Sequence, residues 1–297
     1  MRTRLPTLIA ISVLALTGCS RGQEAASSGM AGEPLRFTAI PDQNTTELQE
    51  KFAPLAAYLT QRLGVPVVYL PARDYQASVE MFVTGDVGLA WYGGLTGVQA
   101  RDRVPGARAI AQGDVDSQYY SYFVAHRDTG LSESAEFPVE IAQFAFTFGS
   151  EQSTSGRLMP EFFLRQHTGK APQDFFQKPV GFSGSHDKTL ELVASGQYQV
   201  GVVNYKVYDE RVEQKRIDPN VVRVIWRTPY YADYNWTIRP DIDQNHGEGF
   251  AERLAEALVG IEDPVLLSAL PRDRLVPAAN DDYDAIRDIA MNLGMIR

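Results

Sequence analysis

The feature that most restricts how this 297-residue chain folds is an alternation of short apolar runs with longer amphipathic ones, beginning at Leu35. "LRFTAIP" reads as a strand, and "ELQEKFAPLAAYLTQRL" carries Leu48, Phe52, Leu55, Leu59 and Leu63 at helical spacing. "VPVVYL" is again strand-like, "DYQASVEMFVTG" helix-like, "VGLAWYG" strand-like, and "ARAIAQG" a strand after a short helix. This βαβαβ order predicts a largely parallel sheet covered on both faces. A second series follows in the same style with no detectable sequence repeat: "FAFTFGS", "PVGFSG", helix "DKTLELVASG", strand "VGVVNY", helix "KVYDERVEQ" and strand "VVRVIWRT". The C-terminal "GEGFAERLAEALVGI", "PVLLSAL" and "YDAIRDIAMNLG" all read as helices, which must pack back on an existing layer to bury their apolar faces. The expectation is an α/β chain of two lobes, each a mainly parallel sheet flanked by helices. Strand carboxyl ends and helix N-termini then face a cleft between the lobes.

The N-terminus speaks for the compartment. "MRTRLPTLIAISVLALTGCS" has Arg2 and Arg4, a short apolar stretch and small residues before Cys19, the pattern of a signal peptide and too short to span a membrane. "LTGC" resembles a lipobox, so residues 1–18 are expected to be removed and Cys19 to carry lipid, with 19–34 a flexible polar tether. Cys19 is the only cysteine, which excludes a disulfide, a thiol nucleophile and a cysteine metal site from the folded part. The four histidines, His126, His167, His186 and His246, lack metal-ligand spacing, and no metal or cofactor is expected. Removing the two arginines of residues 1–18 takes the formal net charge from −9 to −11, a surface that repels nucleic acid. "SHDK" fits S-x-x-K, but its companion S-D-N and K-T-G motifs are missing, and "GFSGS" is not a G-x-S-x-G elbow. The chain reads as a binding protein and not an enzyme.

One junction stands out. In "GSEQSTSGRLMP" a strand-like run gives way to a helix-like one through Ser153, Thr154, Ser155 and Gly156. One hydroxyl suffices to cap a helix. Three in a row, with a glycine that lets a ligand approach the backbone, also suit an anion held at a helix N-terminus. Pro160 restricts the helix to starting close by. A second junction, "IPDQNTTELQ", offers Thr46 and Gln49 as a capping box for a helix from Glu47.

The ordered segments "FAPLAAYLTQRLGVPV", "DYQASVEMF", "GLAWYGG", "STSGRLMP", "GSHDKTLELVASG" and "RTPYYADYNWT" resemble the phosphate/phosphite/phosphonate-binding proteins of ABC transporters, from about Leu35 to the C-terminus. These are type II periplasmic binding proteins, and the branch carrying a selenate-binding label looks most alike. The resemblance implies that Ser153, Thr154 and Ser155 grip an oxyanion and that Tyr75 and His186 complete the grip. Asp233 matches a further family carboxylate. Two departures follow from the same alignment: a family tyrosine falls on Gly97, and an acidic residue able to hold a phosphonate amine falls near Asn204. A site roomier in one lobe is therefore expected, and 2-aminoethylphosphonate is disfavoured. Trp91 and Tyr92, at a strand end, fit either wall packing or ligand contact. The resemblance further implies lobe I over 35–127 plus 239–297, lobe II over 128–238, and a monomeric lipoprotein in the periplasm or at the cell surface. It would deliver a small oxyanion to an ABC permease in the inner membrane. A sensor docking on a membrane histidine kinase is the alternative.

Overall fold

The structure is a computed structural model that describes residues 32–296. Cys19, the signal segment and most of the tether lie outside the described residues. The first βαβ unit forms as the periodicity predicts: β1 (Leu35–Ala39), α1 (Thr45–Leu63), β2 (Val67–Tyr69), α2 (Tyr75–Thr84), β3 (Leu89–Tyr92), α3 (Gly94–Arg103) and β4 (Arg108–Gly113). Helix α1 buries Leu48, Phe52, Leu55 and Leu59. Its cap is Asn44, whose side chain accepts from the Thr46 and Glu47 amides; the expected Thr46–Gln49 box does not form. Asn44 wins because a short amide reaches the first-turn N–H groups from an extended backbone one residue before the helix.

The chain then crosses into a second sheet with β5 (Ser121–His126), β6 (Phe146–Phe148), α4 (Met159–Thr168), α5 (Pro172–Phe175), β7 (Gly181–Phe182), α6 (His186–Ala194), β8 (Val200–Asn204), α7 (Tyr205–Glu213) and β9 (Val222–Arg227). It returns through β10 (Asn235–Ile238), and β11 (Leu275–Pro277) closes the first sheet's edge. The strand orders are β11-β4-β10-β3-β1-β2 and β7-β6-β8-β5-β9.

In each sheet most strands run the same way, as expected; the reversed ones are β10, antiparallel to β3 and β4, β11, antiparallel to β4, and β5, antiparallel to β8 and β9. Strands of βαβ units run toward the cleft, whereas a strand entering from the other lobe starts at the cleft and runs away from it. The two crossing strands are therefore reversed. The expected lobe boundaries also fall past the crossings, since β5 lies in the second sheet and β10 in the first. The run "PVLLSAL" forms turns in place of a helix, with Leu267, Ala269 and Leu270 buried.

The two crossings, residues 114–120 and 228–234, run side by side. Tyr119 and Tyr231 exchange backbone hydrogen bonds at 2.8 and 2.9 Å, and the Asp233 amide donates to the Asp116 carbonyl at 2.9 Å. Arg272, from the turn-rich C-terminal segment, closes over them. Its guanidinium meets the Asp116 carboxylate at 2.6 Å with both side chains buried, and lies 5.0 and 4.9 Å from the Tyr119 and Tyr234 ring centroids. Asp116 also accepts from the Gly113 amide at 2.7 Å. Removing one member of a buried pair leaves the other charge uncompensated. Asp116→Asn should therefore cost about 3–5 kcal/mol of folding stability. Urea unfolding would measure this, and a loss below about 1 kcal/mol would show that the pair does not hold the crossings.

Candidate anion-binding site

The second sheet delivers the hydroxyl triplet to the cleft from the end of β6. Ser153 is extended, and its Oγ accepts from the Gly156 amide at 2.9 Å. Thr154–Leu158 then form a single π-turn, with the Leu158 amide bonded to the Ser153 carbonyl at 3.0 Å. Such wide turns recur at functional sites because they re-aim side chains within a helix. Pro160 sits in the first turn of α4, where a missing N–H costs nothing. The close approach that Gly156 permits is to the Gly149 backbone: the Gly149 amide bonds the Gly156 carbonyl at 2.8 Å, and a Cβ on Gly156 would come within 3.2 Å of the Gly149 Cα. Ser153, Thr154 and Ser155 are all buried.

The first sheet meets this turn with the start of α3 and the end of β1. The Leu95 amide donates to Thr154 Oγ1 at 2.9 Å, and the Gly94 amide to Asp233 Oδ1 at 2.9 Å. These are helix N-terminal donors, unpaired within the helix itself. Asp233 comes from the second crossing; its other oxygen, Oδ2, is buried with no hydrogen-bond partner among the described residues. Tyr75, in the first turn of α2, is buried, and its hydroxyl lies beside Ser153 without a hydrogen bond of good geometry among the described residues.

His186 begins α6 next to its cap Ser185, and its backbone amide donates across the cleft to the Asp42 carbonyl at 2.9 Å. Its Nδ1 accepts from the Asn204 amide at 3.3 Å, which leaves Nε2 as the protonated nitrogen, 3.4 Å from Ser155 Oγ. Asn204 is fully engaged: Oδ1 caps α7 through Val207, and Nδ2 donates to the Tyr234 hydroxyl, which donates to Asp42 Oδ2 at 2.8 Å. Asn204 thus positions His186 and Tyr234.

The triplet, His186 and Asp233 are joined by direct contacts or through the first turn of α3, and burial and the nearby Asp42 and Asp233 carboxylates push the Tyr75 hydroxyl well above the usual tyrosine range. Tyr92 belongs to the wall, since its hydroxyl donates to the Ser78 carbonyl at 2.7 Å and its ring packs edge-on against Phe82. Trp91 stacks on Tyr234. The room expected at Gly97 is filled: a Cβ there would fall 2.8 Å from the Asn235 amide group and 2.9 Å from Arg101 Nη1. Ile40, Asp42, Gly93, Tyr231 and Tyr234 were not read from the sequence, although the acid directly after a strand in "IPDQ" and the tyrosine-dense "YYADYN" were available signals.

The sequence matches, over residues 37–283, the family described as ABC transporter, phosphonate, periplasmic substrate-binding protein. The chain belongs to this family. It is 37% identical over 270 residues to the probable ABC transporter phosphite binding protein PhnD1 of Prochlorococcus marinus (strain MIT 9301), covering 89% of this chain and 91% of that one. It is 26% identical over 319 residues to the phosphate-import protein PhnD of Mycolicibacterium smegmatis (strain ATCC 700084 / mc(2)155), covering 96% and 94%. The solved structure of Prochlorococcus marinus PhnD1 in complex with methylphosphonate superposes with a TM-score of 0.83 at 36% identity, over 89% of this chain and 99% of that one.

In this family member, burial governs the charges of the site. It raises Asp233 to about 7, against the lowering effect of the Gly94 amide and the Thr154 hydroxyl, and raises Asp42 to about 6. It lowers His186 to about 4, so the imidazole is neutral near pH 7. The native protein holds the Asp233 proton more tightly than the unfolded chain. That contribution is complete below the ordinary carboxylate value of 3.8 and is lost as pH rises through about 7. His186 acts in the opposite sense between about 4 and 6.5. The stability of wild type relative to Asp233→Asn should therefore decline from about pH 4 to about pH 7.5. Urea midpoints at both pH values would show it; a difference that stays constant would mean Asp233 titrates as an ordinary carboxylate.

Proposed function

We propose that this substrate-binding protein captures a small phosphorus oxyanion that carries one proton, phosphite or methylphosphonate, and presents it to an ABC permease from a lipid anchor at Cys19. The reading rests on one observation. A buried donor, the Tyr75 hydroxyl beside Ser153, and a buried carboxylate oxygen, Asp233 Oδ2, flank the hydroxyl triplet, and neither makes a hydrogen bond of good geometry among the described residues. A buried polar atom left unpaired is costly, so the two together call for a ligand that both accepts and donates. Phosphite and phosphonates keep a proton on a sizeable fraction of molecules near neutral pH, whereas selenate and sulfate keep none. Asp233, raised to about 7 by burial, is ionised in about half of the molecules at neutral pH, and in that form it accepts the ligand's proton as a charge-assisted bond. The neutral His186 Nε2–H and the triplet hydroxyls supply the remaining donors. The PhnD1 resemblance supports this ligand class and favours a transporter role over the sensor alternative.

Calorimetry with phosphite, methylphosphonate and selenate tests the reading. Wild type is expected to favour the protonated oxyanions over selenate, and Asp233→Asn to lose that preference by about 1–3 kcal/mol. Thr154→Ala should weaken binding about ten- to a hundredfold, the loss of a hydrogen bond to a charged group. Selenate bound tightest by wild type, with Asp233→Asn no different, would overturn it.

The ligand also closes the cleft. Thr154 and Leu95, Lys51 and Glu210 (3.0 Å), and Arg211 and Glu47 (3.2 Å) already join the two sheets' helices across it. A ligand held from both sides binds this closed arrangement better than an open one. Small-angle scattering should show a smaller radius of gyration at saturating methylphosphonate, and an unchanged radius would sink the closure.

A further inference from the structure

Gly93 caps α3 with φ −74° and ψ 168°, extended backbone that any residue adopts, so chain geometry does not call for glycine there. What surrounds its missing side chain does. A Cβ on Gly93 would lie 3.0 Å from Thr154 Oγ1, 3.1 Å from Asp233 Oδ1 and 3.6 Å from Ile40 Cδ1. It would project into the place where a triplet hydroxyl, the site's carboxylate and one apolar tip converge. Ile40 is held in that place: it is buried at the end of β1, and its amide donates to the Trp91 carbonyl at 3.1 Å.

We infer that Gly93 and Ile40 are the specificity-determining pair for the ligand's non-oxygen substituent, Gly93 leaving the room and Ile40 forming the apolar wall that limits it to hydrogen or methyl. The inference rests on the oxyanion reading above. A tetrahedral phosphorus ligand directs its oxygens to the hydroxyl, imidazole and carboxyl groups. Its fourth corner then faces Ile40 Cδ1, the apolar atom among the three nearest to a Cβ on Gly93. An alanine at 93 takes the volume of a methyl group from that corner, and a shorter residue at 40 returns it. Close-packed sites register a change of one methylene.

The experiment compares dissociation constants for phosphite, methylphosphonate and ethylphosphonate in wild type, Gly93→Ala and Ile40→Val. Gly93→Ala should lose methylphosphonate about tenfold or more relative to phosphite, the scale of one carbon in a tight pocket. Ile40→Val should shift the ethylphosphonate to methylphosphonate ratio toward ethylphosphonate, by up to about tenfold. The selectivity ratio is the readout, because a change that only loosens the Thr154–Leu95 contact weakens all three ligands alike. Parallel losses in both variants would overturn the inference and leave the oxyanion reading intact. If Gly93→Ala does not fold, an unchanged ratio in Ile40→Val overturns it alone. Wild type binding none of the three would defeat the oxyanion reading and this inference with it.

Discussion

The ion pair between Arg272 and Asp116 is the contact on which the rest of the arrangement depends. A cleft between two sheets requires the chain to cross twice, and the crossings must lie together if strand ends on both sides are to face one point. Backbone bonds between Tyr119 and Tyr231 bring them together, and a guanidinium fully buried among Asp116, Tyr119 and Tyr234 fixes them there. Burying such a pair is expensive in solvation, and its gain is geometric. Asp116 accepts from the Gly113 amide with its carboxylate and from the Asp233 amide with its carbonyl, so the clamp leads directly to the buried acid of the candidate site.

From that clamp the site assembles by the ends of elements. Strand β1 leads to Ile40 and Asp42, β3 to Gly93 and the first amides of α3, β6 to the triplet, and β8 ends at Asn204. The local devices differ. A π-turn aims Thr154 and Ser155, a side-chain relay from Asp42 through Tyr234 to Asn204 orients His186, and burial sets the protonation of Asp233 and His186. Burial shifts both groups toward their uncharged forms, Asp233 upward and His186 downward, and such perturbed titratable groups cluster at functional sites.

Two positions that the resemblance makes candidates for setting the room and charge of the site serve the scaffold in the structure. Gly97 is not open space but the seat of Arg101 and Asn235, which tie α3 to β10. Asn204 caps α7 through Oδ1 and holds the Tyr234 hydroxyl through Nδ2.

The sequence by itself determined the βα alternation, the two lobes, the absence of cysteine chemistry in the folded part, and the triplet at a strand-to-helix junction. These are local properties: side-chain periodicity and junction composition act within a few residues. It left unread β5 and β10, because strands that follow a crossing have no neighbouring helix to complete the alternation, and with them the antiparallel pairings. It also left unread Asp42, Gly93, Ile40 and the Arg272–Asp116 pair, separated in the chain by up to 156 residues. Only the tertiary structure brings these together, since a buried charge or an unpaired carboxylate oxygen is defined by what surrounds it in space. Desolvation depends on the full packed environment, and no window of sequence contains that.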